Sequence, residues 1–97
     1  MAWVVIQKAT ETGWAEYEKV SQAVGADDNP PAGLIAHAAG EENGKWRSVD
    51  IWESRADFER FQEERLLPAA RAALGDAIID AGPPPQESFV VKHLIKP

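Results

Sequence analysis

Two polar side chains, His37 and Asp50, stand in the middle of segments that are otherwise rich in apolar residues, GLIAHAAGEE and KWRSVDIWE. A carboxylate that is hydrogen-bonded to an imidazole fixes the tautomer of the ring and favours its protonated form. An imidazole held in this way can act as an oriented general base. If the two side chains meet, they predict proton abstraction from a small molecule. The alternative is a structural role as a satisfied polar pair, for example within a subunit interface.

Whether they meet depends on the dipeptide at 43–44, Asn-Gly, which separates the two segments. Asn-Gly is the preferred pair for a two-residue type I′ hairpin turn, because both positions need a positive φ. A turn this tight places His37 opposite Asp50 and Ile35 opposite Trp52. Because side chains alternate between the faces of a strand, all four then share one face of the sheet.

Aromatic and basic residues are candidates for binding a ligand beside this pair. Trp46 and Trp52 fall on the same strand face as Asp50 and can stack on an aromatic ligand. Two aromatic residues on the apolar stripe of the first predicted helix can line a pocket, with core packing as the alternative. An arginine on the second helix can reach over a pocket mouth to an anionic group. The candidate ligand-binding residues are Trp14, Tyr17, Trp46, Trp52, Phe61, Arg65 and His93.

His93 also raises the question of a metal site, because with His37 and Asp50 it makes a 2-His-1-carboxylate set. The spacing of these residues is not that of a recognised metal motif, and three strands must bring them to one face. We therefore expect no metal ion. An ordinary half-buried strand residue is the alternative for His93.

The elements that position these residues follow from periodicity and from turn signals. Thr12 is a suitable N-cap and Gly25 a suitable C-cap for the first helix, and Ser54 a suitable N-cap for the second, which Pro68 should kink or end. The segment from Gly75 to Glu87 is a long proline-rich connection. The predicted elements are a strand at 2–8, a helix at 12–25, the two strands of the hairpin, a helix from 54 and a strand at 88–95.

This order predicts an α+β, ferredoxin-like βαββαβ fold, with a four-stranded antiparallel sheet and two helices on one face. The other sheet face also carries apolar residues and has no helix to cover it. A second copy of the chain would cover it, which predicts a homodimer through the open sheet face.

Composition limits the function classes. With 97 residues, the chain is expected to be a single domain, 1–97. There are no cysteines, which excludes disulfides and thiolate chemistry, and the net charge of −6 disfavours nucleic acid as a partner. No apolar run approaches the ~18 residues of a membrane span, and the first residues lack the basic region of a signal peptide. We expect a cytoplasmic protein without membrane contact.

The stretch VDIWESRADFERF, a strand ending in Trp-Glu-Ser followed by a helix with two spaced phenylalanines, resembles the antibiotic-biosynthesis-monooxygenase-like family of dimeric α+β barrels. The resemblance covers nearly the whole chain. It implies a pocket between sheet and helices in each subunit, with the two sheets packed into a shared barrel. Characterised members include cofactor-independent oxygenases of polycyclic aromatic substrates and haem-degrading enzymes, while others are isomerases or have no known activity.

The haem-degrading branch uses an Asn on the first strand, a Trp on the second helix and a His near the end of that helix. The matching positions here hold Gln7, Phe61 and Arg71. Neither Phe61 nor Arg71 can replace an axial imidazole, which disfavours haem degradation.

Two functions from different classes follow. The first is a cofactor-independent, monooxygenase-like enzyme with an aromatic-lined pocket, in which His37 is the base and Asp50 its orienting partner. The second is a non-catalytic dimer that binds a small apolar or aromatic ligand, and a pure interaction domain is a third possibility. A cavity that exposes His37 and Asp50 would favour catalysis, and a filled interior would favour a structural role.

Overall fold

The computed structural model describes all 97 residues, Met1–Pro97. Four antiparallel strands form one sheet in the order β2-β3-β1-β4. This is the predicted ferredoxin-like α+β fold, which is confirmed. The strands are β1 (Trp3–Lys8), β2 (Leu34–Glu42), β3 (Lys45–Trp52) and β4 (Gln86–Val90). The helical elements are α1 (Trp14–Val24), α2 (Arg55–Phe61), a π-helical segment (Gln62–Leu66), α3 (Leu67–Leu74) and α4 (Asp76–Asp80).

The β2–β3 hairpin has the predicted two-residue turn. Asn43 and Gly44 have φ values of 52° and 78°, and both positive values are what a type I′ turn requires. The register places His37 opposite Asp50, as predicted. The helix-covered face of β3 therefore carries Trp46, Ser48, Asp50 and Trp52.

Beyond Ala36 the predicted register is wrong, because a β-bulge between Leu34 and Ala36 inserts one extra residue into β2. Leu34, rather than Ile35, is the partner of Trp52. The backbone N–H of Glu53 then donates to the carbonyl of Gly33 at 2.8 Å, which holds the end of β3 to the chain before β2.

The hydrophobic core lies between the sheet and the second helical stretch. Its fully packed members are Trp3, Val5, Trp52 and Phe58. The rings of Trp3 and Trp52 approach Phe58 with centroid separations of 5.3 and 5.8 Å. Ser54 caps α2 as predicted, since its hydroxyl accepts a hydrogen bond from the Asp57 N–H at 3.2 Å.

The N-cap prediction for α1 is wrong. Gly13 occupies that position and provides no side-chain cap. The hydroxyl of Thr12 instead accepts a hydrogen bond of 2.7 Å from the indole N–H of Trp46 and is therefore used to tie the β1–α1 connection to β3. At the other end Gly25 is the predicted C-cap, with φ of 68° and its N–H bonded to the carbonyl of Ser21.

Pro68 does not end the second helix, which continues to Leu74. Proline lacks an N–H and its ring clashes with the carbonyl four residues earlier in a regular α-helix. Here the π-helical segment precedes it, and Pro68 falls in the first turn of α3, where an N–H is not needed.

The last strand is shorter than predicted, and the strand assignment for residues 91–95 is wrong. β4 pairs with β1, whose first residue, Trp3, is opposite Val90. One further hydrogen bond joins the N–H of Val91 to the carbonyl of Ala2. Residues after Val91 lie past the start of β1 and therefore have no strand beside them to pair with. The connection before β4 also differs from the prediction, because it contains a short helix, α4, where an irregular segment was expected. No helix in the structure is long and apolar enough to cross a membrane.

Gly33 lies directly before the β2 bulge and next to Asp57, which contacts the N-cap of α2, so a substitution at Gly33 tests whether these two regions must pack closely. Its φ is +88°, and an added Cβ would lie 2.4 Å from the carboxyl group of Asp57. We expect Gly33→Ala to lower the free energy of unfolding by about 1–3 kcal/mol, because the backbone is strained and Asp57 must move.

Gly40→Ala is the matched control, since a Cβ at Gly40 meets nothing within 4 Å. It should keep or slightly raise stability, because glycine is unfavourable inside a strand. Urea midpoints compare the two variants, and equal midpoints would contradict the assigned role of Gly33.

Candidate functional site

His37 and Asp50 meet across the β2–β3 hairpin, on the sheet face that the helices cover. The Nδ1 of His37 is hydrogen-bonded to Oδ1 of Asp50. Asp50 is buried, whereas the His37 side chain is 38% exposed. A buried carboxylate is therefore joined to an imidazole that solvent and small molecules can reach.

The second oxygen of Asp50 is also used. Its Oδ2 accepts a hydrogen bond of 3.2 Å from the indole N–H of Trp52, two residues along the same strand face. Trp52 is 1% exposed, and its ring packs against Phe58 and Phe61. Trp52 thus fixes the carboxylate from the core side, and stacking of its ring on a ligand stays a prediction.

The other ring nitrogen of His37 contacts a residue whose role the sequence did not indicate. The hydroxyl of Tyr17, on α1, lies 2.6 Å from His37 Nε2. Tyr17 was predicted to pack in the core or to line a pocket, but no pattern in the sequence shows which strand residue a helix residue will contact. The structure thus joins Tyr17, His37, Asp50 and Trp52 in one chain of hydrogen bonds, which we call the relay.

The direction of each hydrogen bond follows from the chemistry of the groups. A carboxylate only accepts, so the Nδ1 of His37 carries the hydrogen that is shared with Asp50. The neutral ring then has its lone pair on Nε2, where it accepts the hydroxyl hydrogen of Tyr17. When the ring is protonated, Nε2 donates to the Tyr17 oxygen instead. The basic nitrogen of the site is therefore Nε2.

Aromatic side chains flank the exposed end of the relay. Trp14 stacks on Tyr17 with centroids 4.8 Å apart and planes at 16°, and Trp46 lies 5.6 Å from Tyr17 at 46°. The Tyr17 ring is also parallel to His37 at 6.3 Å. We call Trp14, Tyr17 and Trp46 the aromatic wall.

The electrostatics of the relay favour protons on both titratable rings. The hydrogen bond to Asp50 raises the pKa of His37 above its ordinary 6.5; burial opposes this, and the negative charges of Asp50 and Asp27 add to it. Burial raises the pKa of Tyr17; the same two carboxylates add to the effect, and a hydrogen bond from the Ser21 side chain opposes it. Protonated His37 therefore stabilises the fold fully below pH 6.5, and this contribution is lost as the pH rises through the folded-state pKa.

The remaining predicted residues lie elsewhere. The Arg65 guanidinium donates to the carbonyl of Val24 at 2.9 Å and lies over the Phe61 ring, so it holds the second helix to the end of α1. His93 is exposed in the segment after β4. His37, Asp50 and His93 do not converge, and no group of three or more His, Asp or Glu side chains in the structure is arranged to hold a metal ion. Ligand contacts by Phe61, Arg65 and His93 stay predictions.

Two clefts lie away from the relay. One, of about 360 Å³, separates α2 from β4 and has Trp3, Arg55 and Gln86 among its walls. The other, of about 510 Å³, is a shallow depression on the open sheet face between Ile6 and Val49. Neither cleft includes His37 or Asp50, so an aromatic-lined pocket at the relay stays a prediction.

Comparison with solved structures finds several proteins that share this fold. The chain superimposes on SnoaB, a cofactor-independent oxygenase from Streptomyces nogalater, with a TM-score of 0.58 and 18% identity over 97% of this chain and 95% of that one. A candidate antibiotic biosynthesis monooxygenase from Caulobacter crescentus gives 0.63 and 21%, over 95% and 89% of the two chains. A protein of unknown function from Nitrosomonas europaea gives 0.64 and 18%, over 99% and 92%.

No protein-family model and no curated protein matches the sequence. At these identities the structural matches establish a shared fold. The resemblance to antibiotic-biosynthesis-monooxygenase-like proteins across nearly the whole chain is confirmed at that level.

The pairing of His37 with Asp50 can be tested without a substrate. Asp50→Asn keeps the shape and an acceptor oxygen but removes the negative charge that raises the pKa of His37. We expect the pKa of His37 to fall, since burial, which lowers it, is then no longer outweighed. Titration followed by nitrogen-15 NMR of the imidazole measures the change.

Asp27→Asn is the matched control for that titration. It removes the same charge, but Asp27 makes the weakest of the contributions that raise the pKa. A smaller fall in the same direction is expected, and a larger fall than in Asp50→Asn would contradict the assignment.

Proposed function

We propose that this chain, which shares the fold of the antibiotic-biosynthesis-monooxygenase-like proteins, is a cofactor-independent monooxygenase that acts on a hydroxylated aromatic compound. The observation that carries the proposal is the oriented imidazole: His37 has Nδ1 bonded to a buried carboxylate and Nε2 bonded to the hydroxyl of Tyr17. The neighbouring fold of SnoaB, named as a cofactor-independent oxygenase, supports the reaction class.

The chemistry needs a base and little else from the protein. A quinol is acidic at its hydroxyl group, and an anthrone at the methylene carbon opposite its carbonyl or at the hydroxyl of its enol form; either anion is electron-rich enough to react with dioxygen. His37 takes the proton at Nε2, and Asp50 stabilises the imidazolium that forms. Trp14 and Trp46, which pack on Tyr17 beside Nε2, supply aromatic surface that can stack on the flat face of such a compound.

For an anthrone the reaction balances as follows. The anion gives one electron to dioxygen, and the resulting radical and superoxide combine to form a carbon–oxygen bond. The peroxide takes a proton from the imidazolium of His37. Loss of water from the hydroperoxide leaves a new carbonyl, so that one atom of dioxygen ends in the quinone and the other in water.

Oxygen uptake with 1,8-dihydroxyanthrone, corrected for the reaction without protein, tests this function. We expect His37→Ala to lower the protein-dependent rate by about 10²-fold or more, the usual contribution of a general base. Lys19→Ala, an exposed change on α1, should keep the rate of the wild type.

Wild-type protein that causes no uptake with this anthrone or with menadiol, but is stabilised thermally by the oxidised quinone, would support the ligand-binding alternative instead. Full activity in His37→Ala would remove His37 from the mechanism.

We also propose that the chain forms a homodimer through the open face of the sheet. That face carries apolar side chains from every strand, and two of them remain well exposed, Val49 at 42% and Phe89 at 55%. Exposed apolar surface of this kind marks an interaction site on a small protein. The depression between Ile6 and Val49 offers space for side chains of a second copy.

Val49→Lys tests the dimer, because it places a charge in the middle of the apolar face. We expect wild-type protein to sediment as a dimer at micromolar concentration and the variant to dissociate at least about tenfold more readily. Glu63→Gln, which changes the net charge by the same amount on the helix side, should leave the dimer intact. A wild-type monomer at this concentration would contradict the proposal.

A further inference from the structure

The basic nitrogen of His37 does not face open space, because the Tyr17 hydroxyl lies 2.6 Å from it. A substrate proton must either displace Tyr17 or pass through it. We infer that Tyr17 is a catalytic residue that contacts the substrate hydroxyl and passes its proton to His37. The inference rests on the proposed function and identifies the group that the substrate touches.

The packing of Tyr17 argues against displacement. Its ring is stacked on Trp14 and packs against Trp46, and its backbone belongs to the first turn of α1. Moving it away from His37 would break both aromatic contacts and a hydrogen bond of ordinary length. In contrast, the hydrogen of the phenol points to Nε2, so the phenol oxygen can accept a substrate hydrogen in its present position in addition to the hydrogen bond from Ser21.

The proton transfer balances without a phenolate. The substrate O–H bond breaks as its proton moves to the Tyr17 oxygen. At the same time the original hydrogen of Tyr17 moves to His37 Nε2. The products are a substrate anion, a neutral Tyr17 and an imidazolium that is paired with Asp50. The raised pKa of Tyr17 agrees with this concerted path, since a separate phenolate would be disfavoured beside Asp50 and Asp27.

After the transfer, Tyr17 donates its new hydrogen to the oxyanion of the substrate. The imidazolium behind it donates to the same phenol oxygen, and chains of hydrogen bonds strengthen one another in this way. The site therefore favours ligands in which a hydroxyl group is attached directly to an aromatic ring, so that the ring meets Trp14 while the hydroxyl meets Tyr17. An aromatic ketone without a hydroxyl or enol group would lack the proton that the relay accepts.

Tyr17→Phe tests the relay, because it keeps the ring and its aromatic contacts but removes the hydroxyl. With 1,8-dihydroxyanthrone we expect the kcat for oxygen uptake to fall at least about tenfold, although His37 and Asp50 are unchanged. Wild-type protein should show a curved dependence of rate on the deuterium fraction of the solvent, since two protons move together. A linear dependence in wild-type protein would overturn the relay.

Tyr17 is the only tyrosine in the chain, so biosynthetic replacement of tyrosine by 3-fluorotyrosine alters the acidity of this phenol alone. This second test does not require Tyr17→Phe to fold. The relay predicts a changed kcat with little change in KM, whereas a tyrosine that only packs predicts no change in either.

The outcomes separate the relay from the base. If His37→Ala is inactive while Tyr17→Phe and the fluorotyrosine protein match wild type, His37 acts directly and the relay is overturned. If Tyr17→Phe is faster than wild type, the phenol blocks the base, and the relay is again overturned. If His37→Ala is fully active, the proposed function itself fails.

Discussion

The carboxylate of Asp50 is the group on which the site depends. It is buried in the sheet, where an unpaired charge would be costly, and it is satisfied from two directions. Trp52 donates to it from the hydrophobic core, and His37 donates to it from the exposed edge. Removing either donor would leave one oxygen of a buried carboxylate without a hydrogen bond. The core and the reactive end of the molecule are therefore connected through two oxygens of one side chain, and the imidazole is oriented by a group that cannot easily move.

That arrangement requires the register of the hairpin, and the register depends on two residues. The positive φ angles of Asn43 and Gly44 permit the two-residue turn, and a shift of one residue would turn the His37 side chain to the other sheet face. The bulge at the far end of β2 lies beyond His37, so it changes the partner of Trp52 without disturbing the pair. The hairpin is thus regular around His37 and Asp50, and its one irregularity lies at the start of β2, next to Gly33.

The sequence predicted those features that depend on local rules. The turn, the pairing of His37 with Asp50, the Ser54 cap and the order of elements all follow from short-range preferences. Several features that it did not predict depend on contacts between distant segments. The contact of Tyr17 with His37 is set by how α1 docks on the sheet, and the end of β4 is set by where its neighbour, β1, begins. Thr12 could cap a helix or accept from Trp46, and only the tertiary structure decides between these partners.

The placement of the relay also bears on how one fold can carry different reactions. The positions that the haem-degrading branch uses hold Gln7, Phe61 and Arg71 here, and the polar residues that meet in this chain come from α1, β2 and β3 instead. A fold supplies a sheet face and helices, while the chemistry depends on which side chains converge there. In this chain the converging groups are a phenol, an imidazole and a carboxylate in sequence, so the imidazole can hold a proton that is passed through the phenol while the carboxylate stabilises its positive charge. Under the proposed relay the anion forms on the substrate hydroxyl, Tyr17 stays neutral, and the balancing positive charge lies on His37 beside Asp50.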